Sequence, residues 1–233
     1  MTVVPEAVLR DGYQVVIMAK APVPGEVKTR LCPPLTHHQA AALAAAALAD
    51  TLEAALHSRA VRRVLALDGA PGPWLRPGFD LIWQRPGDFG IRLAGAIDDA
   101  WARLQVPVVV VGMDTPQLRS RDLDRAAAPL LVAGPTGAVL GPAEDGGYWA
   151  IGVRCPSPGM FDGVPMSTSI TGAAQVERLA HLGLRCHLVG ALRDVDRYDD
   201  AVAVAVEAPT TRFAALLATF VDRPEPLSAA PHG

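Results

Sequence analysis

A short loop near the amino end carries the basic side chains best suited to binding a phosphate. The segment AKAPVPGEVKTRL, residues 19–31, contains Lys20, Lys28 and Arg30. The chain has 21 basic residues, of which Lys20 and Lys28 are the only lysines and the rest are arginines. Ammonium and guanidinium groups beside accessible backbone amides can bind a pyrophosphate by charge and by directed hydrogen bonds. The loop therefore predicts a phosphate site, with a solvated basic loop as the alternative.

A carboxylate follows the most apolar strand of the sequence. The run PVVVVG, residues 107–112, predicts a buried central strand, and Asp114 comes directly after it in Met-Asp-Thr-Pro. A carboxylate at the carboxyl edge of a sheet can ligate Mg²⁺ or Mn²⁺ while bound phosphates supply further oxygens. We interpret Asp114 as a metal ligand, and the alternative is an aspartate that merely starts a turn.

Two later acidic segments are candidates for related chemistry. Asp145 precedes two glycines and two aromatic residues in GPAEDGGYW, a setting that suits a general base beside a sugar or another polar acceptor. Asp194 and Asp196 lie two apart, so in extended geometry their side chains share one face and two carboxylates there could share a cation. The alternatives are a hairpin turn at Asp145 and a solvated acidic helix start.

The segment QRPGDFGIRL, residues 84–93, offers a fourth group of candidates. Its glycines allow close approach of the backbone to a ligand, Asp88 can accept hydrogen bonds from a base, and Arg92 can reach a phosphate. The alternative for Asp88 is the N-cap of the following helix, and both roles are compatible.

Regular elements must carry these candidates to one place. Apolar runs predict strands over 13–19, 61–67, 79–84, 107–112, 137–141, 147–153 and 185–191. Helical spacing predicts helices over 37–57, 119–132, 170–182, 197–207 and 211–220, and one more with Leu93, Ile97, Trp101 and Leu104 on one side. This alternation predicts a doubly wound α/β fold, with a mostly parallel sheet and helices on both faces. Because ligands of such sheets bind at the carboxyl ends of strands, the loops that start at Lys20, Gln84, Met113 and Gly141 should line one crevice.

The length and the net charge of the chain limit the classes of function that it can have. The chain has 233 residues, which suits one domain over 1–220 followed by a flexible Pro-rich tail over 221–233. A net charge of −3 and a pI of about 6.0 argue against a nucleic-acid binder. We find no apolar run near the roughly 20 residues that span a bilayer. Three scattered cysteines and the lack of a signal pattern predict a cytoplasmic protein.

Five motifs in order carry a family resemblance over roughly residues 13–220. They are KAPVPGEVKTRL, GDFGIRL, GMDTPQL, GPAEDGGYW and MSTS. Their order resembles a bacterial family of glycosyltransferase-like proteins. That family is similar to the nucleotide-diphospho-sugar transferase superfamily with the GT-A fold, and more distantly to 2-phospho-L-lactate guanylyltransferase and the molybdenum cofactor guanylyltransferase. The chain lacks the glycine-rich G-G-x-[GS]-x-R-M signature of those nucleotidyltransferases, which favours sugar transfer.

The resemblance implies roles for the basic loop. Lys20, Pro22, Gly25, Lys28 and Arg30 match the loop after the first strand that holds the phosphates of the nucleotide. Lys28 would also take a catalytic part, by stabilising the diphosphate leaving group together with the cation. In the same way, the GDFGIRL motif with its Asp88 and Arg92 matches a loop on the nucleotide side.

The resemblance also implies roles for the carboxylates. Asp114 occupies the place of the metal-binding acidic motif, although GMD supplies a single carboxylate where many members have D-x-D. Asp194 or Asp196 would complete the shell of a Mg²⁺ or Mn²⁺ ion. Asp145 would lie toward the acceptor and act as the base if the reaction inverts at the anomeric carbon.

Three functions are compatible with these residues. The leading hypothesis is an enzyme that binds a nucleoside diphosphate sugar with a divalent cation and transfers the sugar to a small acceptor. The second is a nucleotidyltransferase that uses a nucleoside triphosphate and releases pyrophosphate. The third is a nucleotide-binding module without turnover, which the single carboxylate Asp114 would permit.

Overall fold

The computed structural model describes residues 12–221 and has seven strands and six α-helices in that range. The strands are β1 (Gln14–Lys20), β2 (Arg62–Asp68), β3 (Asp80–Trp83), β4 (Val108–Gly112), β5 (Gly137–Pro142), β6 (Tyr148–Val153) and β7 (Arg185–Leu188). The helices are α1 (His37–Leu56), α2 (Phe89–Arg103), α3 (Ser120–Val132), α4 (Thr171–His181), α5 (Tyr198–Glu207) and α6 (Arg212–Val221). A short 3-10 turn, Thr29–Leu31, lies in the basic loop.

The seven strands form one mixed sheet in the order β3-β2-β1-β4-β6-β5-β7. Only β6 among them runs against its two neighbours, and the other four strand pairs are parallel. The prediction of a mostly parallel α/β sheet is therefore confirmed. Because β5 and β4 point the same way, the β5–β6 turn lies at the same edge of the sheet as the carboxyl ends of β1 and β4.

Alternate side chains of β1 enter apolar cores on opposite faces of the sheet. Val15, Ile17 and Ala19 pack with α1 and α3, whereas Val16 and Met18 pack with α2. Burial on both faces explains why β1 and β4 are continuous apolar runs rather than alternating ones. The sheet therefore presents its loops, rather than its faces, to solvent.

Helix α1 begins at the predicted capping box, in which the Thr36 side chain accepts from the Gln39 amide and Gln39 reaches back to the Thr36 amide. By length and composition alone, α1 passes the criteria for a membrane-crossing helix, the single one among residues 12–221 to do so. However, 61% of its most apolar window is buried inside the fold, and core helices meet the same criteria.

A third apolar cluster lies beneath the basic loop and joins distant parts of the chain. Leu31 of the loop and Val195 of the segment before α5 pack there with Leu43 of α1 and Phe213 of α6. Leu31 and Leu43 are fully buried. The cluster therefore fixes the basic loop and the late acidic segment to the same helix.

The observed elements match the predicted ones closely, with one clear difference. Strand β7 ends at Leu188 rather than at residue 191. The chain turns away from the sheet there, and the carbonyl of Gly190 instead accepts a hydrogen bond from the Trp149 indole at 2.9 Å. The predicted tail lies almost wholly outside the described residues.

We expect Leu31→Ala to lower the free energy of unfolding by about 2–5 kcal/mol, because it leaves a cavity in the third cluster. Urea unfolding followed by circular dichroism measures this change. Val206→Ala, at a side chain that is 77% exposed on α5, is the control and should cost less than about 0.5 kcal/mol. A similar small loss for Leu31→Ala would contradict the view that the cluster anchors the loop.

Candidate active site

The basic loop and the end of β4 enclose a cavity of about 250 Å³. We call it the basic cavity; its lining is Lys20, Glu26, Val27, Lys28, Thr29, Arg30, Ala44, Met113, Asp114 and Asp196. The three cations of the basic loop thus lie together, beside the predicted metal ligand. Pro22 and Gly25 belong to the same loop but are not part of this lining. Gly25 has a positive φ of 80°, which suits it to the exposed turn that precedes Lys28.

Lys28 connects the two halves of the site. Its Nζ lies 2.9 Å from Asp114 Oδ1 and also donates a hydrogen bond to the carbonyl of Val195. Only 11% of the Lys28 side chain is exposed. Its backbone is in the left-handed region, with φ 50° and ψ 34°, just before the 3-10 turn. Such a conformation is uncommon for a residue other than glycine, and it is held here by the contacts of the side chain.

The other two cations of the basic cavity also have acidic partners. Lys20 Nζ lies 3.6 Å from a carboxylate oxygen of Glu26, and Arg30 bonds to Asp196. These pairs are largely exposed, so water and salt weaken them. An incoming phosphate can therefore exchange with the carboxylates at a small cost in free energy.

A second cavity, of about 300 Å³, lies on the other side of Asp114. We call it the carboxylate cavity; its lining is Phe89, Arg92, Asp114, Asp145, Gly147, Tyr148, Met166, Ser167, Thr168, Thr171 and Asp194. Asp114 lines both cavities, so a ligand that fills them both passes over this carboxylate. Hydroxyl groups from the MSTS segment and from Tyr148 give the second cavity a polar wall.

Asp194 is largely buried between other charged groups. It accepts a hydrogen bond of 3.1 Å from the hydroxyl of Thr115. Burial, aided by the negative charges of Asp114 and Asp145, raises its pKa to about 6, against the lowering effects of Thr115 and Lys28. Asp114, Asp145 and Asp194 thus line one cavity, with Lys28 and Arg92 as the nearby cations.

Asp145 lies at the predicted hairpin turn between β5 and β6. One of its carboxylate oxygens accepts the amide of Gly147 at 2.8 Å. Gly146 has a φ of 90°, and a Cβ added to it would lie only 2.0 Å from the carbonyl oxygen of Ser169. The glycine therefore lets the turn pack directly against the MSTS segment, which closes the carboxylate cavity.

The structure separates some candidates that the sequence grouped. Asp196 lines the basic cavity and bonds to Arg30, whereas Asp194 lines the carboxylate cavity, so the two side chains do not share one space. Arg92 lines the carboxylate cavity, where it donates to Asp68 at 3.3 Å. Asp88 instead caps α2 by accepting the amide of Ile91 at 2.9 Å, and it lines a different groove beside that helix.

Sequence reasoning missed two residues that hold the site together. Thr115 positions Asp194, and its hydroxyl was visible in Met-Asp-Thr-Pro as a donor next to Asp114. Val195 accepts from Lys28 and donates its own amide to the Asp114 carbonyl at 2.9 Å, both through the backbone. Backbone contacts between residues so far apart leave no signature in residue types.

The residues present fit an open divalent cation site rather than a closed one. Residues 12–221 contain no group of three histidine, cysteine or acidic side chains placed to enclose a metal ion. However, Asp114 and Asp194 offer carboxylate oxygens to the same cavity. Mg²⁺ commonly binds in this way, through one or two carboxylates together with phosphates of the substrate.

Sequence comparison identifies the family of this chain. The profile of a bacterial family described as "Uncharacterized protein conserved in bacteria (DUF2064)" matches residues 37–168. The chain belongs to this family. The match includes α1, Asp114 and the β5–β6 turn of the DUF2064 chain, and no curated protein sequence matches it.

Solved structures show the same fold in transferases. A candidate nucleotide-diphospho-sugar transferase from Desulfovibrio desulfuricans G20 has a TM-score of 0.81 at 25% identity, over 90% of this chain and 95% of that one. A 4-diphosphocytidyl-2C-methyl-D-erythritol synthase from Anaerococcus prevotii DSM 20548 has a TM-score of 0.56 at 8% identity, over 88% and 100%.

A CMP:2-keto-3-deoxy-manno-octonic acid synthetase in complex with CTP has a TM-score of 0.52 at 14% identity, over 85% of this chain and 99% of that one. These neighbours confirm the nucleotide-diphospho-sugar transferase fold that the five motifs predicted. They also support an enzyme of the transferase class.

The raised pKa of Asp194 predicts a specific dependence of stability on pH. The native state keeps the proton of Asp194 up to a pH of about 6, whereas the unfolded chain loses it near pH 4. This group therefore stabilises the fold fully below pH 4, and the contribution is lost as pH rises through about 6. We expect Asp194→Asn to gain stability over the parent chain between pH 4 and 7, by an amount on the order of 3 kcal/mol.

Urea unfolding of both proteins at several pH values, without added metal, measures this difference. Asp199→Asn, on the exposed start of α5, removes the same formal charge elsewhere and is the control. A constant difference between Asp194→Asn and the parent chain across this range would show that Asp194 is not protonated in the folded protein.

Proposed function

We propose that this protein is a transferase that binds a nucleoside diphosphate sugar with Mg²⁺ or Mn²⁺ and transfers the sugar to a small acceptor. The diphosphate occupies the basic cavity, and the sugar and acceptor occupy the carboxylate cavity. The family's shared fold with a candidate nucleotide-diphospho-sugar transferase supports this assignment at the level of reaction class. The arrangement of charges supports it at the level of the site.

The observation that carries the proposal is the contact between Lys28 and Asp114. Their 2.9 Å separation places a basic group suited to a phosphate directly beside an acidic group suited to a metal. A diphosphate chelated to a divalent cation requires both charges side by side.

Asp114 and Asp194 would hold the cation between the two cavities. When bound, the cation would supply positive charge to the leaving diphosphate. Lys28, released from Asp114, would donate to a phosphate oxygen and stabilise the charge that develops there. Lys20 and Arg30 would bind the remaining phosphate oxygens, which fixes the orientation of the nucleotide.

The carboxylate cavity is suited to a hydroxylated acceptor. Its wall offers hydroxyls from Ser167, Thr168 and Tyr148, and Asp145 stands at its edge. In an inverting reaction, the acceptor oxygen attacks the anomeric carbon, the bond from that carbon to the diphosphate breaks, and Asp145 takes the acceptor proton. Within residues 12–221 the second oxygen of Asp145 has no hydrogen bond, which leaves it available for that proton.

The same charges would also serve a nucleotidyltransferase, and the neighbour structure with CTP shows such a fold around a nucleoside triphosphate. The products distinguish the two reactions. Sugar transfer from a nucleoside diphosphate sugar releases the nucleoside diphosphate, whereas nucleotidyl transfer releases pyrophosphate. A panel of sugar nucleotides and nucleoside triphosphates, first screened by melting temperature with and without Mn²⁺, gives the ligands for both assays.

Release of nucleoside diphosphate that depends on both Mn²⁺ and an added acceptor would support the proposal. Release of pyrophosphate would replace it with nucleotidyl transfer. Binding that raises the melting temperature without either product would identify a nucleotide-binding protein that lacks turnover.

We expect Lys28→Met to weaken binding of a nucleoside diphosphate at least tenfold and to leave binding of the free nucleoside nearly unchanged, because Lys28 contacts only the phosphates. Isothermal titration with both ligands in the presence of Mn²⁺ measures the two affinities. Arg103→Met, on an exposed side chain at the far end of α2, is the control for net charge. Equal losses for nucleoside and diphosphate would contradict a phosphate role for Lys28.

A further inference from the structure

A groove beside α2 is larger than either cavity of the candidate active site. Its volume is about 770 Å³, against about 250 and 300 Å³ for the other two. One wall is α2 between Gly90 and Asp98, and the other is the segment over 156–166, which follows β6. At 1.5 Å per residue, that stretch of helix gives the groove a length of about 12 Å. We call it the α2 groove.

The second wall of the α2 groove is held in place by α4. Gln175, which is fully buried, donates to the carbonyl of Met160 at 2.8 Å. Arg178 donates to the carbonyl of Gly159 at 2.7 Å. A wall fixed by two side-chain hydrogen bonds is ready for a ligand, since no ordering of the segment has to accompany binding.

The inner surface of the α2 groove is apolar. Ile97, Met160 and Phe161 line it and are nearly fully buried, and Ile91 and Val164 add further apolar surface. Ile91 is 51% exposed, although it lies on the first turn of a helix on which Leu93 and Ile97 face the core. An aliphatic ligand would remove its own apolar surface from water by packing on these side chains, and it would cover the exposed part of Ile91.

The rim of the α2 groove carries more negative than positive charge. Asp88, Asp98 and Asp162 line it together with one cation, Arg85. Arg85 bonds to Asp99 at 2.6 Å and also interacts with the charge of Asp98, which is in no ion pair within residues 12–221. Arg178 lies 3.8 Å from Asp162, whose side chain is 78% exposed, so that pair leaves most of the charge in place. The rim therefore attracts a cation and repels a fatty acid or a phosphate.

We propose that the α2 groove is a ligand site for an elongated molecule with an aliphatic body and a cationic amine. The aliphatic body lies on Ile97, Met160 and Phe161, and the amine lies at the rim beside Asp98 and Asp162. Hydrophobic burial supplies most of the affinity, and the carboxylates select the amine over an acid of the same length.

The α2 groove adjoins the carboxylate cavity. Met166 lines both spaces, and Asp88 and Phe89, at the start of α2, lie on either side of the boundary. A molecule in the groove therefore extends toward the place of the transferred sugar. The inference that this molecule is the acceptor rests on the proposed function, whereas the inference that the α2 groove binds it does not.

Methionine methyl groups give a direct test, because the chain has five methionines and they report on different places. Met160 and Met166 line the α2 groove, Met113 lines the basic cavity, and Met18 is buried in the core. The full chain, labelled with ¹³C at the methionine methyl groups, is titrated with hexylamine, hexanol and hexanoate and followed by NMR. We expect hexylamine to shift the signals of Met160 and Met166 and to leave that of Met18 in place.

The affinity for hexylamine should exceed that for hexanoate at least about fivefold, the ratio that corresponds to about 1 kcal/mol, the interaction of two unit charges about 4 Å apart in water. The double variant Asp98→Asn, Asp162→Asn should lower the hexylamine affinity by a similar factor and leave that of hexanol unchanged. Glu207→Gln, on an exposed residue outside the α2 groove, is the charge control. Ala94→Phe, which fills the groove from the α2 wall, should abolish the shifts of Met160 while the unchanged Met18 signal shows an intact core.

Three results would overturn the proposal: no shift of Met160 with hexylamine, equal affinity for hexylamine and hexanoate, or undiminished binding to Ala94→Phe. Equal affinity for hexanol and hexylamine would likewise contradict the part of the proposal that assigns a cationic amine to the ligand. A titration of the same sample with a nucleoside diphosphate and Mn²⁺ reports separately on Met113. Loss of that response concerns the proposed function, and loss of the Met160 response concerns the α2 groove.

Discussion

The rest of the candidate site depends on a single ion pair, Lys28 with Asp114. The lysine is mostly buried, so removing its carboxylate partner would leave a cation whose remaining contact is one backbone carbonyl. A partly buried charge without a partner is costly, and the pair is therefore maintained until another anion replaces Asp114. A phosphate is such an anion. Under the proposed function, Lys28 and Asp114 are thus held beside the places of the diphosphate and the cation, by contacts that these two ligands can replace.

The fold supplies this ion pair from segments far apart in the sequence. Asp114 is placed by β4, the central strand, whose apolar side chains are buried on both faces. Lys28 is placed by the third apolar cluster, which binds Leu31 of its loop to α1 and α6. Val195 belongs to the same cluster and bonds to both partners through its backbone. Packing beneath the surface therefore determines a charge arrangement at the surface.

Sequence reasoning predicted the sheet and most of the charged residues that line the two cavities, because these depend on local pattern. The apolar run before Asp114 and the capping box at Thr36 are written in neighbouring residues. The separation of Asp194 and Asp196 into different cavities was not predictable. The spacing of residues in an extended strand gives the direction in which each side chain points, but it does not show which residues lie opposite that side chain. The N-cap role of Asp88, in contrast, was predictable because it depends on neighbouring residues, and its carboxylate does cap α2.

The division of the surface on the two sides of Asp114 has a consequence for specificity. The lining of the basic cavity holds three cations and three carboxylates, whereas that of the carboxylate cavity holds three carboxylates, hydroxyl groups and one cation, so a charged diphosphate is favoured in the basic cavity. A diphosphate in the carboxylate cavity would meet Asp145 and Asp194, with Arg92 as the single cation of that lining. Under the proposed function, charge alone would therefore favour one orientation of the substrate before any shape complementarity is considered.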